Sequence, residues 1–243
     1  MNRPELILFD AVHTLIEPDP PVVAVYQQCG ERHGCRLPEA ELRARFAGAF
    51  QHASSRCRQD QGGRTDEAGE YAFWQTVVQA VFHEWKGQAV DAAFADLWHH
   101  FSRPEHWRVF PDVDATFAEL RQRGFRLGIA SNFDDRLLQI CAGHPELAEA
   151  EPVFVSSRVG WIKPAAGFYR EIERITSLAP ERIFLVGDDF ENDVEAPRRL
   201  GWQTWWLQRA GGARSETQLN TLTDLLLAPV LLALPGRANY HNR

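Results

Sequence analysis

Short apolar runs that end abruptly in polar residues recur along this chain, and they predict the strands of a sheet. The first run, residues 6–9 (LILF), is apolar on both faces, which is typical of a parallel strand covered on both sides. Similar runs follow at 125–130, 183–186 and 202–207. A helical pattern over 112–123 leads to Gly124, a helix-stop signal. This alternation predicts an α/β fold with a doubly wound, Rossmann-like parallel sheet, in which 202–207 is the last core strand.

A long segment after the first run has the periodicity of helices and shows no strand pattern. Pro18, Pro20 and Pro21 mark a linker into it, and residues 104–111 mark the return. We predict four helices in this segment, at 22–33, 38–58, 66–86 and 89–102. The chain is therefore expected to have an α/β core, residues 1–16 and 106–243, with an inserted α-helical cap domain at residues 17–105.

Aromatic residues recur at three- and four-residue steps within the predicted cap helices. They are Phe46, Phe50, Phe73, Trp74, Phe82, Trp85, Phe94 and Trp98. This spacing is more typical of the core of a helix bundle than of a substrate pocket. We therefore expect most of them in the core of the cap, with one or two facing the active site.

Composition and charge indicate which kinds of partner the protein is not expected to have. The chain has 243 residues, a net charge of -7 and spread-out arginines, which argues against a nucleic-acid partner. The apolar run before Asp10 is too short for a signal peptide or a membrane span, so we expect a cytoplasmic protein with no membrane partner. The apolar stretch 219–234, interrupted by Asp224 and Pro229, is predicted to form a helix and tail on the core. The four cysteines lack a CxxC pair and zinc spacing, which indicates reduced, structural thiols.

The residues with candidate chemistry lie where the apolar runs end. They are Asp10, Ser131 with Asn132, Lys163, and the acidic residues Asp188, Asp189 and Asp193. Together an acid, a hydroxyl, an amide, a lysine and an acidic cluster suit phosphoryl or acyl-ester chemistry at one edge of a sheet. Ser131 and Asn132 also suit the N-cap of a following helix. Lys163 is one of only two lysines among 26 basic residues, and a compact ammonium suits an anionic oxygen.

With these motifs in this order, the chain resembles the haloacid dehalogenase-like hydrolases, a superfamily of phosphatases and dehalogenases with an aspartate nucleophile. The resemblance covers nearly the whole chain, including a helical cap inserted after the first motif. It implies that Asp10 is the nucleophile and that Ser131 and Asn132 hold a phosphoryl oxygen together with Lys163. The implied substrate is a small phosphorylated metabolite, which would be hydrolysed through an aspartyl-phosphate.

The resemblance also implies a bound Mg²⁺ ion. The family's fourth motif, Gly-Asp-x-x-x-x-Asp, is intact at Asp188 and Asp193. These two carboxylates would hold the ion together with the carboxylate of Asp10 and the backbone carbonyl of Val12. Asp189 is an additional acid, expected to support the site or to cap the following turn.

The first motif departs from the pattern of the family. Most of its phosphatases read Asp-x-Asp-Gly-Thr, whereas this chain reads Asp10-Ala11-Val12-His13-Thr14. The second acid is the family's general acid/base, a role typically worth ~10²- to 10⁴-fold in rate. We therefore expect a slow phosphatase, or one limited to good leaving groups. His13 is a candidate replacement, but its position favours packing against the cap.

Other interpretations remain open at this point. A metal-independent 2-haloacid dehalogenase uses the same aspartate and fits a non-acid at position 12, but it has no use for Asp188 beside Asp10. A phosphonatase-like Schiff base would need a lysine in the cap, and only Lys86 is available. A catalytically impaired binding or regulatory protein fits the missing acid, yet such a scaffold would not require Asp10, Lys163 and Asp188 together.

Overall fold

A six-stranded sheet forms the centre of the computed structural model, which describes residues 3–85, 87–211 and 217–232. In chain order the strands are β1 (Leu6–Phe9), β2 (Ile16–Pro18), β3 (Trp107–Val109), β4 (Arg126–Ser131), β5 (Val153–Val155), β6 (Ile183–Gly187), β7 (Gln203–Leu207) and β8 (Gln218–Leu219). The central sheet has the order β5-β4-β1-β6-β7-β8, and its pairings are parallel. This is the strand order of the Rossmann fold. The predicted fold class is confirmed.

Helices that follow β3 cover both faces of this sheet, and four more helices lie between β2 and β3 in the chain. In chain order they are α1 (Val22–Arg32), α2 (Glu39–Gln61), α3 (Glu67–Val81), α4 (Gln88–His100), α5 (Val113–Gln122), α6 (Arg136–Gly143), α7 (Ser156–Val159), α8 (Ala166–Thr176), α9 (Ala196–Arg199) and α10 (Pro229–Leu232). Because successive side chains of a strand point to opposite faces, Ile7 and Phe9 pack with α5 and α6, whereas Leu6 and Leu8 pack with α8. The strand β1 is thus buried on both sides, as its all-apolar sequence predicts.

The helices α1 to α4 lie between β2 and β3 and share a hydrophobic core of their own. Tyr26, Val77 and Phe82 are among its fully buried side chains. The helix bounds agree with the predicted ones to within a few residues, except that α3 ends at Val81 rather than at residue 86. Lys86 lies outside the described residues. The cap boundaries, residues 17–105, stay a prediction.

One cluster in the cap contains the residue types of a metal site but is explained by helix packing. Cys29 on α1 and His33, which directly follows α1, lie close to Asp96 on α4. The Cys29 thiol donates to the Ala93 carbonyl at 3.5 Å, and His33 Nε2 is hydrogen-bonded to Asp96 at 3.0 Å. Burial raises the pKa of the Cys29 thiol to about 11, so the thiol stays protonated near neutrality. These contacts join α1 to α4.

The two connections between core and cap form a structure that the sequence did not indicate. Both segments were predicted as linkers because of their prolines, but β2 and β3 pair as an antiparallel ribbon, with Glu17 opposite Arg108. Each strand has three residues, too few for a periodic pattern. The ribbon leaves the core directly after the first motif and returns before α5.

The C-terminal part of the described chain corrects two predictions. The strand β7 is not the last one, because β8 pairs with it at the edge of the sheet. The stretch predicted as a helix from residue 219 contains the end of β8, a 3₁₀ helix (Leu222–Leu227) and α10, and residues 233 and 234 lie outside the described part. Leu222 and Leu225 are fully buried, so this segment packs on the core by short pieces instead of one helix. No helix in the described ranges is both long and apolar enough to cross a membrane.

Candidate active site

Polar side chains meet at the carboxyl ends of β1, β4 and β6. The strand β1 pairs in parallel with β4 on one side and with β6 on the other. Asp10 directly follows β1, Ser131 is the last residue of β4, and Asp188 directly follows β6. All three line one cavity. This is the edge of the sheet where the strand order reverses, and ligands of open α/β sheets bind there.

Lys163 is the central cation of the site. Its Nζ atom donates to Asp10 Oδ1 at 2.7 Å, to Asp193 Oδ1 at 2.6 Å and to the carbonyl of Ala130 at 3.0 Å. Burial by itself lowers the pKa of Lys163, but the carboxylates of Asp10 and Asp193 outweigh it, so the pKa of the ammonium is raised. Lys163 is therefore charged, with all three of its protons directed at oxygen atoms.

Asp188 is held by contacts other than this ammonium. Thr14 Oγ1 donates to its Oδ1 atom at 3.1 Å, and Trp206 Nε1 donates to its backbone carbonyl at 2.9 Å. Burial, followed by the charge of Asp10, raises the pKa of Asp188 to about 6. The two carboxylates thus repel each other in this geometry.

Asp193, in the segment that follows β6, is held from two directions. Its Oδ1 atom accepts from Lys163, and its Oδ2 atom accepts from the backbone N–H of Asp189 at 3.1 Å. A Cβ at position 187 would come within 2.2 Å of Asp193 Oδ2, so Gly187 is required by this close approach. Burial raises the pKa of Asp193 to about 7 in spite of Lys163. Asp189 itself accepts a hydrogen bond from the Asn192 N–H at 2.9 Å and caps the turn.

The three carboxylates are close enough to share a cation. Oxygen atoms of Asp10, Asp188 and Asp193 lie within 4.8 Å of one another. No described residue donates to Oδ2 of Asp10 or of Asp188, whereas both oxygens of Asp193 are engaged. Carboxylate oxygens are the ligands that Mg²⁺ prefers, so the donor set fits this ion. A cation at this point would offset the repulsion that raises the pKa of Asp188.

The loop after Asp10 places Val12 and His13 at the cavity. Val12 is half-buried, packs against the hydrophobic core and forms an isolated bridge with Ile16. His13 is exposed and has a φ of 64°, in the left-handed region that favours glycine. Its N–H donates to the Ile16 carbonyl at 2.7 Å. The turn thus keeps its left-handed backbone with a histidine, and the histidine side chain borders the cavity.

Ser131 and Asn132 have different surroundings although they are neighbours in the chain. Both residues line the cavity, and Ser131 is buried. The Asn132 carboxamide donates to the Lys163 carbonyl at 2.9 Å and accepts from the Lys163 N–H at 2.6 Å. Asn132 therefore fixes the backbone that carries the ammonium. Neither residue is an N-cap, because the next helix, α6, begins at Arg136 after Asp135.

A cavity of about 460 Å³ extends from the carboxylates into the cap. Five of the aromatic residues predicted from helical spacing line it: Phe46, Phe50, Trp74, Phe94 and Trp98. The expectation that only one or two would face the site was therefore too low. The periodicity identifies the inner face of each helix correctly, but it does not tell a packed core from the wall of a cavity, because both lie on that face.

The cap also contacts the segment that carries Lys163. The Ile162 N–H donates to the Gly63 carbonyl at 2.8 Å, and the Thr65 N–H donates to the Gly160 carbonyl at 3.3 Å. Nearby, the buried carboxylate of Glu70 on α3 accepts from Ser156 Oγ at 2.9 Å. The loop between α2 and α3 is thus hydrogen-bonded to the core next to the site.

The comparison with protein families agrees with this arrangement. Residues 4–201 match the family described as haloacid dehalogenase-like hydrolase. The chain belongs to this family. The resemblance inferred from the motifs is therefore confirmed.

Relatives of this haloacid dehalogenase-like hydrolase cover most of the chain. Haloacid dehalogenase-like hydrolase domain-containing protein 3 of Homo sapiens is 30% identical over 203 residues, which are 82% of this chain and 80% of the relative. A phosphoserine phosphatase of Thermus thermophilus is 24% identical over 248 residues, covering 93% of this chain and all of the relative (100%).

Solved structures of the family have the same fold. The putative hydrolase YfnB of Bacillus subtilis, bound to magnesium, superposes with a TM-score of 0.72 at 17% identity, covering 93% of this chain and 98% of that one. An L-2-haloacid dehalogenase gives a TM-score of 0.69 at 20% identity, with the same two coverages. Phosphatases and dehalogenases thus share the architecture of this hydrolase.

Sequence reasoning overlooked two supporting residues of the hydrolase site. Thr14 is fully buried and donates to Asp188, and its own carbonyl accepts from Arg209 Nη2 at 2.7 Å. Arg209 also forms a bidentate pair with Asp112, both contacts being 3.0 Å. The signal for Thr14 was present, because it occupies the threonine position of the first motif. Arg209 lies far along the chain and carries no local signal.

Proposed function

We propose that this hydrolase is a Mg²⁺-dependent phosphatase that acts on a small phosphorylated molecule through an aspartyl-phosphate. The observation that carries the proposal is the convergence of Asp10, Asp188 and Lys163 at one edge of the sheet. Lys163 is hydrogen-bonded to Asp10 there. An oxygen of Asp10 attacks phosphorus, and the P–O bond to the leaving group breaks. Water then attacks the phosphorus of the aspartyl-phosphate, releasing inorganic phosphate and restoring the Asp10 carboxylate.

Each residue of the site has a distinct task in this reaction. Asp10 would attack with one carboxylate oxygen and face the ion with the other, and Lys163 fixes the side chain through Oδ1. The Lys163 ammonium attracts the phosphoryl oxygens through its positive charge, and the Ser131 hydroxyl binds one of them. Asn132 keeps Lys163 in place through its backbone.

Asp10, Asp188 and the Val12 carbonyl would hold Mg²⁺, with Asp193 reaching it through water. When bound, the ion supplies positive charge next to the phosphoryl oxygens. Asp193 contributes chiefly by orienting Lys163, because both of its oxygens already accept hydrogen bonds.

The lack of an acid at position 12 shapes the expected activity. Val12 is half-buried and apolar, so no side chain at that position protonates the departing oxygen. The chain is expected to be slow with alkyl phosphates and faster with esters whose alcohol leaves as a stable anion.

The alternative reaction is dehalogenation of a 2-haloacid, in which Asp10 attacks carbon and displaces halide. The non-acid at position 12 and the likeness to L-2-haloacid dehalogenases favour it. The grouping of three carboxylates favours the phosphatase. Without a metal ion, Asp188 would only repel the Asp10 carboxylate.

One pair of assays tests the proposal. Purified protein is incubated with p-nitrophenyl phosphate and with 2-chloropropionate, each with Mg²⁺ and with EDTA. We expect phosphate release that requires Mg²⁺ and no chloride release. Chloride release in EDTA, without phosphate release in Mg²⁺, would move the assignment to the dehalogenases.

A further inference from the structure

The aromatic wall of the cavity is only partly covered. Phe46 and Trp74 are half-buried, and Phe50 is 41% exposed, although all three belong to the inner side of the cap. Phe50 and Trp74 lie with ring centroids 5.9 Å apart, and Phe46 and Phe50 are stacked at 6.2 Å. Large apolar rings that border an open space adjoining a catalytic carboxylate are typical of a ligand pocket.

The two arginines that line the cavity in the described part of the chain are already paired with carboxylates. Arg136 Nε and Nη2 donate to Asp134 at 2.8 and 2.6 Å, and its guanidinium lies 3.6 Å from the Trp98 ring centroid. Arg58 lies 3.2 Å from Glu191. Among the described residues that line the cavity, the remaining lysine or arginine is Lys163, which is engaged by Asp10 and Asp193. The positive charges that line the cavity are thus each offset by carboxylates, so an additional negative group on a ligand would gain little attraction there.

The lack of an acid at position 12 also restricts the leaving group. Without an acid to protonate it, a leaving group must depart as a stable anion. A phenol has a pKa near that of tyrosine, about 10, and so a phenolate leaves much more readily than an alkoxide.

These observations support one substrate class. We propose that the substrate is an aryl phosphate, a monoester whose leaving group is an uncharged aromatic ring with a phenolic oxygen. This rests on the proposed phosphatase function. The ring lies against Phe46, Phe50 and Trp74, where offset or edge contacts between rings are available, and the phosphoryl group lies at Asp10 and Lys163. Aliphatic phosphates that carry a carboxylate, such as O-phosphoserine, are poor substrates in this arrangement.

Turnover of three esters with Mg²⁺ tests the substrate class. They are 1-naphthyl phosphate, 1-naphthylmethyl phosphate, which keeps the ring but leaves as an alkoxide, and O-phospho-L-serine. We expect kcat/KM to be highest for 1-naphthyl phosphate, by about tenfold or more over the other two. Equal or faster turnover of O-phosphoserine overturns the proposal.

Binding separates this proposal from the proposed function. Titration calorimetry with the Asp10→Asn protein is expected to give a Kd for 1-naphthyl phosphate about tenfold lower than for O-phosphoserine. Failure to hydrolyse acetyl phosphate and all three esters would refute the phosphatase function. The difference between the two Kd values tests the aromatic pocket whether or not the protein is a phosphatase, because binding is measured without turnover.

A matched pair of variants locates the pocket. Trp74→Leu should raise the KM for 1-naphthyl phosphate about tenfold and leave that for acetyl phosphate unchanged, because acetyl phosphate has no ring. Trp85→Leu removes an indole that is also half-buried in the cap but does not line the cavity, and should change neither KM. Equal effects of both variants on naphthyl phosphate, with unchanged thermal midpoints, would contradict the assignment.

Discussion

At the scale of single residues, the proposed chemistry depends on Asp10. Its Oδ1 atom is fixed by Lys163, and its side chain borders the cavity. Asp10→Asn keeps the shape and an oxygen that can accept from Lys163, but an amide is not nucleophilic. We expect turnover to fall by on the order of 10⁴-fold or more with little change in thermal midpoint.

Beryllofluoride gives an independent check on the same residue. As a mimic of aspartyl-phosphate it should bind wild-type protein and not Asp10→Asn. A variant that keeps most of its activity and the same substrate preference would rule out nucleophilic attack by this residue.

Val12 is the residue that limits the expected rate. Val12→Asp adds a carboxyl group beside the leaving oxygen and keeps the backbone carbonyl. Activity should rise most for alkyl phosphates, by up to ~10²- to 10⁴-fold, and least for p-nitrophenyl phosphate, whose leaving group needs no proton. The measurement is kcat/KM for both kinds of ester.

Val12→Asn is the matched control for Val12→Asp, because the asparagine side chain has nearly the shape of aspartate but no ionisable carboxyl group. Val12 packs against the core, so a carboxyl group there would be partly desolvated and its pKa raised. If a fully folded Val12→Asp protein showed the same leaving-group dependence as wild type, position 12 would not be the missing catalytic element.

At the scale of elements, α3 of the cap joins α7 of the core through a buried acid. Glu70 Oε1 accepts from Ser156 at 2.9 Å and from Thr65 at 3.2 Å. Burial raises the pKa of Glu70 above its ordinary 4.5, although both hydroxyls oppose the shift. The folded state therefore binds this proton more tightly than the unfolded chain does, and ionisation of Glu70 costs stability as pH rises from about 4.5 through the raised pKa.

Glu70→Gln removes this cost while its carbonyl oxygen still accepts from both hydroxyls. We expect the variant to be more stable than wild type at pH 8, by about 1 kcal/mol, and the difference to shrink towards pH 4.5. Urea unfolding at several pH values measures it. Ser156→Ala should instead lose about 1 kcal/mol by removing a donor. A pH-independent gain for Glu70→Gln would contradict the explanation.

At the scale of the whole molecule, metal binding should be linked to folding. Because Asp10 and Asp188 come together only in the folded core, Mg²⁺ should raise the thermal midpoint, with about 2.7 kcal/mol of stabilisation at a hundredfold excess over Kd. EDTA should reverse the shift and abolish hydrolysis. Asp188→Asn should lose both responses, and a wild-type midpoint indifferent to Mg²⁺ would argue against a metal site.

The same experiment bears on the interpretation as a binding or regulatory protein. A protein without catalytic activity would not require a buried ammonium that is hydrogen-bonded to two carboxylates. Lys163 nevertheless donates to both Asp10 and Asp193. Folded wild-type protein that binds Mg²⁺ but hydrolyses no phosphate ester would favour that interpretation.

The sequence by itself determined the fold class, the strands β1, β4, β6 and β7, the chemical groups at the edge of the sheet and the departure at Val12. Apolar runs such as Leu6–Phe9 predict buried parallel strands because both faces must be covered, and polar residues after such strands meet at one edge. The motif order was specific enough to indicate the family, since Asp10, Ser131 and Asp188 each lie at the end of a strand, with Lys163 between the second and the third of them. These are properties of local pattern and of chain order.

Only the tertiary structure decided which groups touch. The ribbon of β2 and β3 and the strand β8 depend on pairing partners distant in the chain and are too short for a local signal. Asn132 became a support for Lys163 because two loops meet. Periodicity placed Phe46 and Trp74 on inner faces, but whether an inner face meets another helix or an open cavity depends on how the cap packs on the core, which local sequence does not encode.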